Sequence, residues 1–338
     1  MGSAPMDRQA LLAEIALAVA RLRPHVRKTP VERSRALEAG GSRVYLKLEN
    51  VQHTGSFKLR GAFNKLLSLT AEQRARGVVA ASSGNHGVAV AWAAEALGMR
   101  ADVFVPESTS PTKIAAIRQL GSVVTQFGTD SLDAEVRARE VAASRGCEYV
   151  SPYNDVAVIA GQGTLGVELQ GQLPSLDTVF VAVGGGGLIA GVAAAVKGKW
   201  PAARVVGCLP EASPVMARSI AAGHIVEMIS RPTLSDGTAG GIEPGSMTFP
   251  LCRALVDDWV TVSEDEIAMG MRHCLTAEHT LVEGAAGVAI AGFRRYAMKA
   301  GAVSAIVVCG SNVTSDVLRA VLQERTTAGS VGGSRPQA

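Results

Sequence analysis

The chain alternates short β-branched runs with stretches of helical periodicity, and most of the junctions carry Gly, Pro, Ser or Asp. The order is most regular from residue 77 onward. Strands are predicted at 77–81, 101–105, 122–127 and 148–150, with helices at 88–97, 111–120 and 131–144 that end at Gly98, Gly121 and Gly146. Such β-α-β-α alternation is the pattern of a parallel sheet with crossover helices. Ser151 to Asp155 reads as a crossing point between two lobes. The alternation then resumes with helix 158–173, strand 178–183, helix 188–197, strand 204–209 and helix 212–222. Between 224 and 250 the period is lost and Gly and Pro accumulate, as in a loop beside an active site or interface. Helices 264–279 and 285–299, strand 303–309 and helix 315–323 complete the pattern. Upstream, the start of the chain to Pro24 is helical in pattern over 10–23, a Thr29-Pro30 loop follows, and a strand at 43–49 precedes a helix that opens near Phe57. The fold class expected is therefore α/β with two lobes. Residues 1–52 and 153–325 form the larger lobe, 53–152 the smaller, and the Gly/Ser/Thr-rich stretch 326–338 a disordered tail.

Composition narrows this picture. At 338 residues, 47% of them hydrophobic, the chain can bury a large core, and 37 glycines suit an α/β fold with many tight turns. Aromatic residues are only 4%, and the net charge of +3 is spread without a basic stripe, so nucleic acid is not an expected partner. Cys147, Cys208, Cys252, Cys274 and Cys309 stand singly, which speaks for a reducing, cytoplasmic setting and against a disulfide or zinc framework. Glu14 breaks the apolar run of the first helix, so that run is no signal peptide. Met6 stands where myristoylation needs Ser or Thr. The longest apolar run, 179–196, is interrupted by four glycines and parses as strand, loop and helix rather than a membrane span.

Three short stretches carry candidate chemistry. In Thr54 to Asn64, Lys58 follows Phe57 at the start of a predicted helix, which Thr54 or Ser56 could cap. Unpaired amides at a helix start and desolvation by Phe57 both disfavour an ammonium, and a neutral amine is what Schiff-base chemistry requires. A surface lysine at a helix start would have the same sequence. The second stretch is Ser82-Ser83-Gly84-Asn85-His86-Gly87, between a strand and a helix. Its amides suit a carboxylate, Asn85 can hydrogen-bond a ring hydroxyl, and Ser83 could shuttle a proton; simple capping by Asn85 and His86 is the alternative. The third is Gly184-Gly185-Gly186-Gly187, followed by Leu188, again between strand and helix. Consecutive glycines let the backbone close on a phosphate, with the helix dipole adding attraction. A tight turn without ligand is one alternative. A dinucleotide fingerprint through Gly185, Gly187, Ala190 and Glu211 is another, although it leaves Lys58 and the Ser82–Gly87 turn unexplained.

Together, in this order, the three stretches resemble the fold-type II enzymes dependent on pyridoxal 5′-phosphate, specifically the threonine/serine dehydratase and serine racemase family. The resemblance runs from about Thr29 to Arg325. It implies a two-lobed fold like that of the tryptophan synthase β chain, with a parallel sheet in each lobe. It implies that Lys58 carries the cofactor, beside Phe57; that Gly184–Gly187 and Leu188 hold its phosphate; and that Asn85 meets its 3′-oxygen. It sets Ser82, Ser83, Gly84, Asn85 and His86 around the substrate carboxylate, with Ser83 as acid/base opposite Lys58 and His86 mainly structural. Gly237 is expected to pass beside the ring and Glu283 to lie near it, or else to cap a helix. Cys309 falls where the family places a Ser or Cys on the pyridine nitrogen. Many relatives bind a divalent cation through a Glu-Pro pair after the next strand. Here Leu209 stands in that place, with Glu211 nearby, and no metal is assigned. Arg27, Lys28 and Arg60 read as ordinary surface charges.

The activity implied is elimination of water from a small β-hydroxy amino acid, threonine or serine, giving a 2-oxo acid and ammonia, by a homodimer or homotetramer. Three alternatives stand beside it. The same residues could racemise serine. Residues 237–245 depart from common threonine dehydratases and look like the hydroxyectoine-utilisation branch. From another class, the chain could be a non-catalytic amino-acid-binding protein on this fold.

Overall fold

In the computed structural model, which describes residues 7–323, the strands assort into two sheets. The chain begins with α1 (Arg8–Leu22), capped by Asp7, whose carboxylate accepts from the Ala10 amide. β1 (Val31–Arg33) and β2 (Arg43–Leu48) start the larger sheet, and α2 (Lys58–Ser68) and α3 (Ala71–Arg76) lead to the smaller one. That sheet is built by β3 (Val78–Ala81), α4 (Asn85–Ala96), β4 (Ala101–Val105), α5 (Pro111–Arg118), β5 (Val123–Gln126), α6 (Ser131–Arg145) and β6 (Glu148–Tyr149). The long helix α7 (Val156–Gln172) returns the chain to the larger sheet. There follow β7 (Thr178–Ala182), α8 (Gly187–Lys199), β8 (Arg204–Pro210), α9 (Val215–Ala222), α10 (Thr248–Leu255), β9 (Asp258–Val262), α11 (Glu264–Thr276), α12 (Gly284–Tyr296), β10 (Val303–Val308) and α13 (Ser315–Leu322).

The smaller sheet has the order β5-β4-β3-β6 and is parallel throughout. The larger has the order β1-β2-β10-β7-β8-β9. It is parallel except for β1, which pairs antiparallel with β2, Glu32 opposite Leu46. This corrects the expectation of a parallel sheet in each lobe. A short edge strand can turn back by a loop, whereas the internal strands, covered on both faces, need helical crossovers. β1, β9 and α3 have no counterpart in the sequence pattern, and α10 begins inside the stretch read as loop. Residues 326–338, expected to be a disordered tail, lie outside the described residues.

The core follows the strands. Val44, Leu46, Phe180, Ile306 and Val307 are sealed between helices in the larger sheet, each such side chain contributing about 1.5–3 kcal/mol on burial. α7 and α8 press together through small residues: a Cβ on Gly191 would lie 2.4 Å from the Ile159 carbonyl oxygen. A separate cluster around Leu59, Phe63, Val78, Ala89 and Val90 joins α2 and α4 to β3. Helix α2 thus packs between the helices of both sheets, with its first residue, Lys58, where they meet. Among the described residues no helix is long and apolar enough to cross a membrane.

Candidate active site

Parallel strands put their carboxyl ends, and the turns that follow, on one edge of a sheet, and ligands gather there. β3, β7 and β10 each end in a segment singled out by sequence: Ser82–Gly87, Gly184–Gly187 and Cys309–Gly310. The segment before α2 joins them. Ser56 bridges to Gly310, and the Phe57 amide donates to the Cys309 carbonyl at 3.0 Å. α2 therefore starts against the end of β10.

The proposed cap of α2 is not formed. Phe57 is the first flanking residue, without a side-chain cap, and the hydroxyls of Thr54 and Ser56 are buried without a partner. Hydrogen bonding to β10 draws this segment away from the geometry a cap needs. The same holds at α4 and α8, whose N-caps are Gly84 and Gly186. Seven other helices are capped by Asp7, Thr70, Ser110, Asp130, Asp155, Ser263 and Thr314, while α9, α10 and α12 also start without a side-chain cap. Three helices that begin at this edge thus keep unpaired N-terminal amides.

Lys58 Nζ donates to the Pro152 carbonyl at 2.9 Å. Burial lowers its pKa to about 8, against the opposing pull of Cys309 and Glu283. The Phe57 ring lies 5.2 Å from the ammonium nitrogen. Burial raises the Cys309 thiol well above its ordinary value, Glu283 adds to the rise, and the group stays a thiol. Glu283 is raised to about 7, chiefly by burial, although Asn85 and the Asn312 amide pull it down. Its carboxylate accepts from Asn85 Nδ2 at 3.0 and 2.9 Å and from the Asn312 amide at 3.2 Å. Asn312 Nδ2 donates in turn to Asn85 Oδ1 at 2.5 Å. Glu283 and Asn85 thus hold one another, and neither side chain caps the helix it precedes or opens. Gly237 passes beside this pair; a Cβ there would lie 4.0 Å from Glu283 Oε1.

His86 is buried, and its Nε2 donates to the Val150 carbonyl at 2.7 Å. Burial, with the nearby Lys58 charge, drops its pKa to about 3. The ring is therefore neutral and committed to Val150, leaving the His86 amide rather than the imidazole to the turn. On the same turn Ser83 is half-buried, and the Gly84 amide is turned back to Ser82 Oγ at 3.1 Å. Gly87 is required by a close approach, since a Cβ would meet the Ser82 carbonyl oxygen at 2.1 Å.

The tetraglycine turn is walled as closely. A Cβ on Gly185 would lie 2.4 Å from the Tyr153 ring, and Gly186 has φ of 88°, a conformation open to glycine. Thr248 Oγ1 donates to the Gly185 carbonyl at 2.6 Å. Tyr153, which sequence reasoning left unassigned, also accepts the Glu243 amide at its hydroxyl, 2.9 Å away. Its only sequence signal was its place in the crossing between lobes. Glu211, considered as a substitute cation ligand, pairs instead with Arg295 at 3.3 Å, and Leu209 is buried.

A model of the family described as "Pyridoxal-phosphate dependent enzyme" matches residues 22–310. The L-threonine ammonia-lyase of Thermotoga maritima is 39% identical over 314 residues, covering 93% of this chain and 78% of that one. Among solved structures, the processed form of threonine deaminase isoform 2 from Solanum lycopersicum superposes with a TM-score of 0.88 at 33% identity, covering 95% of this chain and 89% of that one. Maize serine racemase does so with a TM-score of 0.86 at 33% identity, covering 91% and 95%. The chain belongs to the pyridoxal-phosphate dependent enzymes, in the fold-type II group that contains threonine dehydratases and serine racemases. Its cofactor is pyridoxal 5′-phosphate, and its substrate is a small molecule.

The geometry of the site fits that group independently. Among the described residues, the amides of Gly184 through Ile189 find no acceptor, nor do those of Ser83, Asn85, His86 and Gly87. Two turns of unused donors, one walled by glycines that admit no side chain, flank a buried amine of lowered pKa. Buried or half-buried amides without partners are costly in a finished fold. An anion at each turn removes that cost.

Proposed function

We propose that the enzyme eliminates water from a small β-hydroxy amino acid, L-threonine or L-serine, yielding a 2-oxo acid and ammonia. The observation that carries this reading is the buried Lys58 amine, placed between two turns of unpaired amides and held near pKa 8. Gly184–Leu188 would hold the cofactor phosphate, Cys309 its ring nitrogen, and Asn85 with Glu283 and Gly237 its ring edge. Lys58 is the attachment point, and Phe57 shields it. The Ser82–His86 turn would take the substrate carboxylate through its amides.

When bound, pyridoxal phosphate supplies an electron sink that acidifies the substrate Cα–H. The rest falls to the protein. Lys58 accepts the Cα proton, which a group with pKa near 8 can do and an ordinary lysine at neutral pH cannot. Cys309, fixed as a thiol, would offer the ring nitrogen of the bound cofactor a neutral partner in place of a carboxylate, which would hold charge on the ring weakly and favour elimination over slower side reactions. His86 stays neutral and keeps Val150, at the end of β6, against the start of α4. Ser83 serves as the acid/base on the opposite face.

That position of Ser83 and the likeness to maize serine racemase favour racemisation of serine as a second reading. One experiment separates the two. Purified enzyme is offered L-threonine, L-serine and other β-hydroxy amino acids, and 2-oxo acid and D-amino acid are both quantified. Elimination as the main reaction predicts 2-oxo acid in excess; D-serine in excess would replace the first reading with the second.

The finer organisation belongs to the same proposal. Within the described part of residues 1–52 and 153–325, and within residues 53–152, the chain acts as two lobes, each around one sheet. The enzyme works in the cytoplasm, where the five unpaired cysteines stay reduced. It is a homodimer or homotetramer, a reading supported by apolar side chains left open, such as Ile229 and Leu132, and checked by sedimentation.

A further inference from the structure

Arg60 is the largest fully buried side chain among the described residues, although its sequence context reads as a surface charge. Its guanidinium spans two carboxylates. Nε and Nη2 donate to Glu49 at 2.8 Å each, while Nη1 and Nη2 donate to Glu168 at 2.7 and 3.0 Å. Nη1 also reaches Thr164 Oγ1 at 3.2 Å, and Nη2 the Arg27 carbonyl at 3.3 Å. Lys47, equally buried, donates to Glu168 at 2.5 Å, to Gln172 Oε1 at 2.9 Å and to the Thr29 carbonyl at 2.8 Å. Thr29 closes the group, its hydroxyl donating to Glu49 at 2.5 Å and its amide to Glu168 at 3.2 Å. Two cations and two anions thus balance inside the protein. Burial alone would raise Glu49, but Arg60, Lys47 and Thr29 hold it below its ordinary value.

The position of this cluster matters more than its charge. Glu49 follows β2, the neighbour of β10, at whose end Cys309 lies. Glu168 is on α7, the helix that follows Pro152, the acceptor of Lys58 Nζ. Arg60 itself is two residues beyond Lys58. At about 100° per helical residue, the two side chains leave α2 on nearly opposite sides. The guanidinium therefore ties α2 to the two elements whose ends define the surroundings of the Lys58 amine. The tie is rigid as well as strong. Gly61 and Gly161 let the two backbones touch; a Cβ on Gly161 would lie 2.7 Å from Gly61 Cα. With no side-chain cap at its start, α2 has no other polar anchor of this strength at that end.

We infer that Arg60 is a positioning residue for Lys58, acting through its double fork to Glu49 and Glu168. A planar fork can satisfy two carboxylates at once, whereas a lysine of the same charge presents a point donor and can hold one of them well. The inference rests on the proposed role of Lys58 as the attachment point.

The test uses the holoenzyme and two variants, Arg60→Lys and Glu168→Gln. Each is checked for folding by circular dichroism and for bound pyridoxal phosphate. The proteins are then reduced with borohydride, and the fraction of cofactor fixed to Lys58 is mapped by peptide mass spectrometry. If Arg60 positions Lys58, cofactor remains bound by the glycine turn, while the fraction fixed to Lys58 falls on the order of tenfold. kcat falls by a similar factor, and KM moves less than about twofold. If Arg60→Lys does not fold, Glu168→Gln, which keeps side-chain shape at a position partly open to solvent, decides the outcome by the same measurement. Folded variants with a lowered melting temperature but unchanged labelling and kcat would overturn the positioning role and leave the cluster a support of the fold. A wild-type label on another lysine would overturn the proposed attachment point, and this inference with it.

Discussion

Replacing Glu283 by glutamine should change how stability depends on pH, because the surroundings of this carboxyl are nearly closed. It is 6% exposed, and burial, reinforced by Asp236, lifts its pKa from 4.5 to about 7. A carboxyl raised in the native state binds its proton more tightly than the unfolded chain does. Between pH 4.5 and 7 the folded protein therefore carries the extra proton, and stability falls as pH rises through that window. At about 1.4 kcal/mol per pH unit, the loss amounts to about 3 kcal/mol by pH 7.5. His86 works the other way. Its native pKa, lowered to about 3, makes the unfolded chain the stronger proton binder, and stability rises with pH between 3 and 6.5. The raw pH profile of the wild type is thus partly cancelled, and only a difference isolates Glu283. Glu283→Gln keeps the shape of the side chain and removes the proton. The assay is urea unfolding of the cofactor-free wild type and variant at intervals from pH 4.5 to 8. The stability of the variant relative to wild type should climb by about 3 kcal/mol across the range, whatever constant offset the amide introduces. A difference independent of pH would refute the raised pKa and the buried carboxyl that causes it.

Other expectations follow from the same geometry. Lys58→Ala should abolish the cofactor's covalent attachment and lower turnover by at least about a thousandfold, as checked by borohydride labelling and product formation. Gly185→Ala places a methyl 2.4 Å from the Tyr153 ring; overpacking of about 1–3 kcal/mol should weaken pyridoxal phosphate binding by roughly 10- to 100-fold, measured by equilibrium dialysis. Cys309→Ser keeps a small neutral group at the end of β10, so kcat should change by less than about fivefold. Cys309→Asp places a carboxylate beside the ring nitrogen and should raise the ratio of racemised to eliminated L-serine; an unchanged ratio at full cofactor occupancy would remove Cys309 from that contact.

The features legible in the sequence are those decided by a few neighbouring residues. In Thr178–Val183 and the four glycines after it, β-branched residues favour a strand, glycines allow the tight turn, and a helix starts at the last of them. Lys58 and the Ser82–Gly87 turn stand out in the same way, each at the end of a strand or the start of a helix, whereas Cys309 stands out only through the family resemblance. The missing cap of α2, the antiparallel β1, the strand β9, and the burial of Arg60 and Lys47 were not. Each depends on a partner outside the local stretch: Cys309 for Phe57, Leu46 for Glu32, Cys208 for Val260, Glu168 for Arg60 and Lys47. A charged residue in a helical pattern looks the same whether it faces water or a distant carboxylate. Sequence alone thus determined the local turns and the order of elements, because backbone preference and hydrophobic period act over a few residues. Only the tertiary structure decided which polar groups are buried together and which amides stay unpaired. Burial and hydrogen-bond satisfaction are set by contacts between segments far apart in the chain, 108 residues in the case of Arg60 and Glu168.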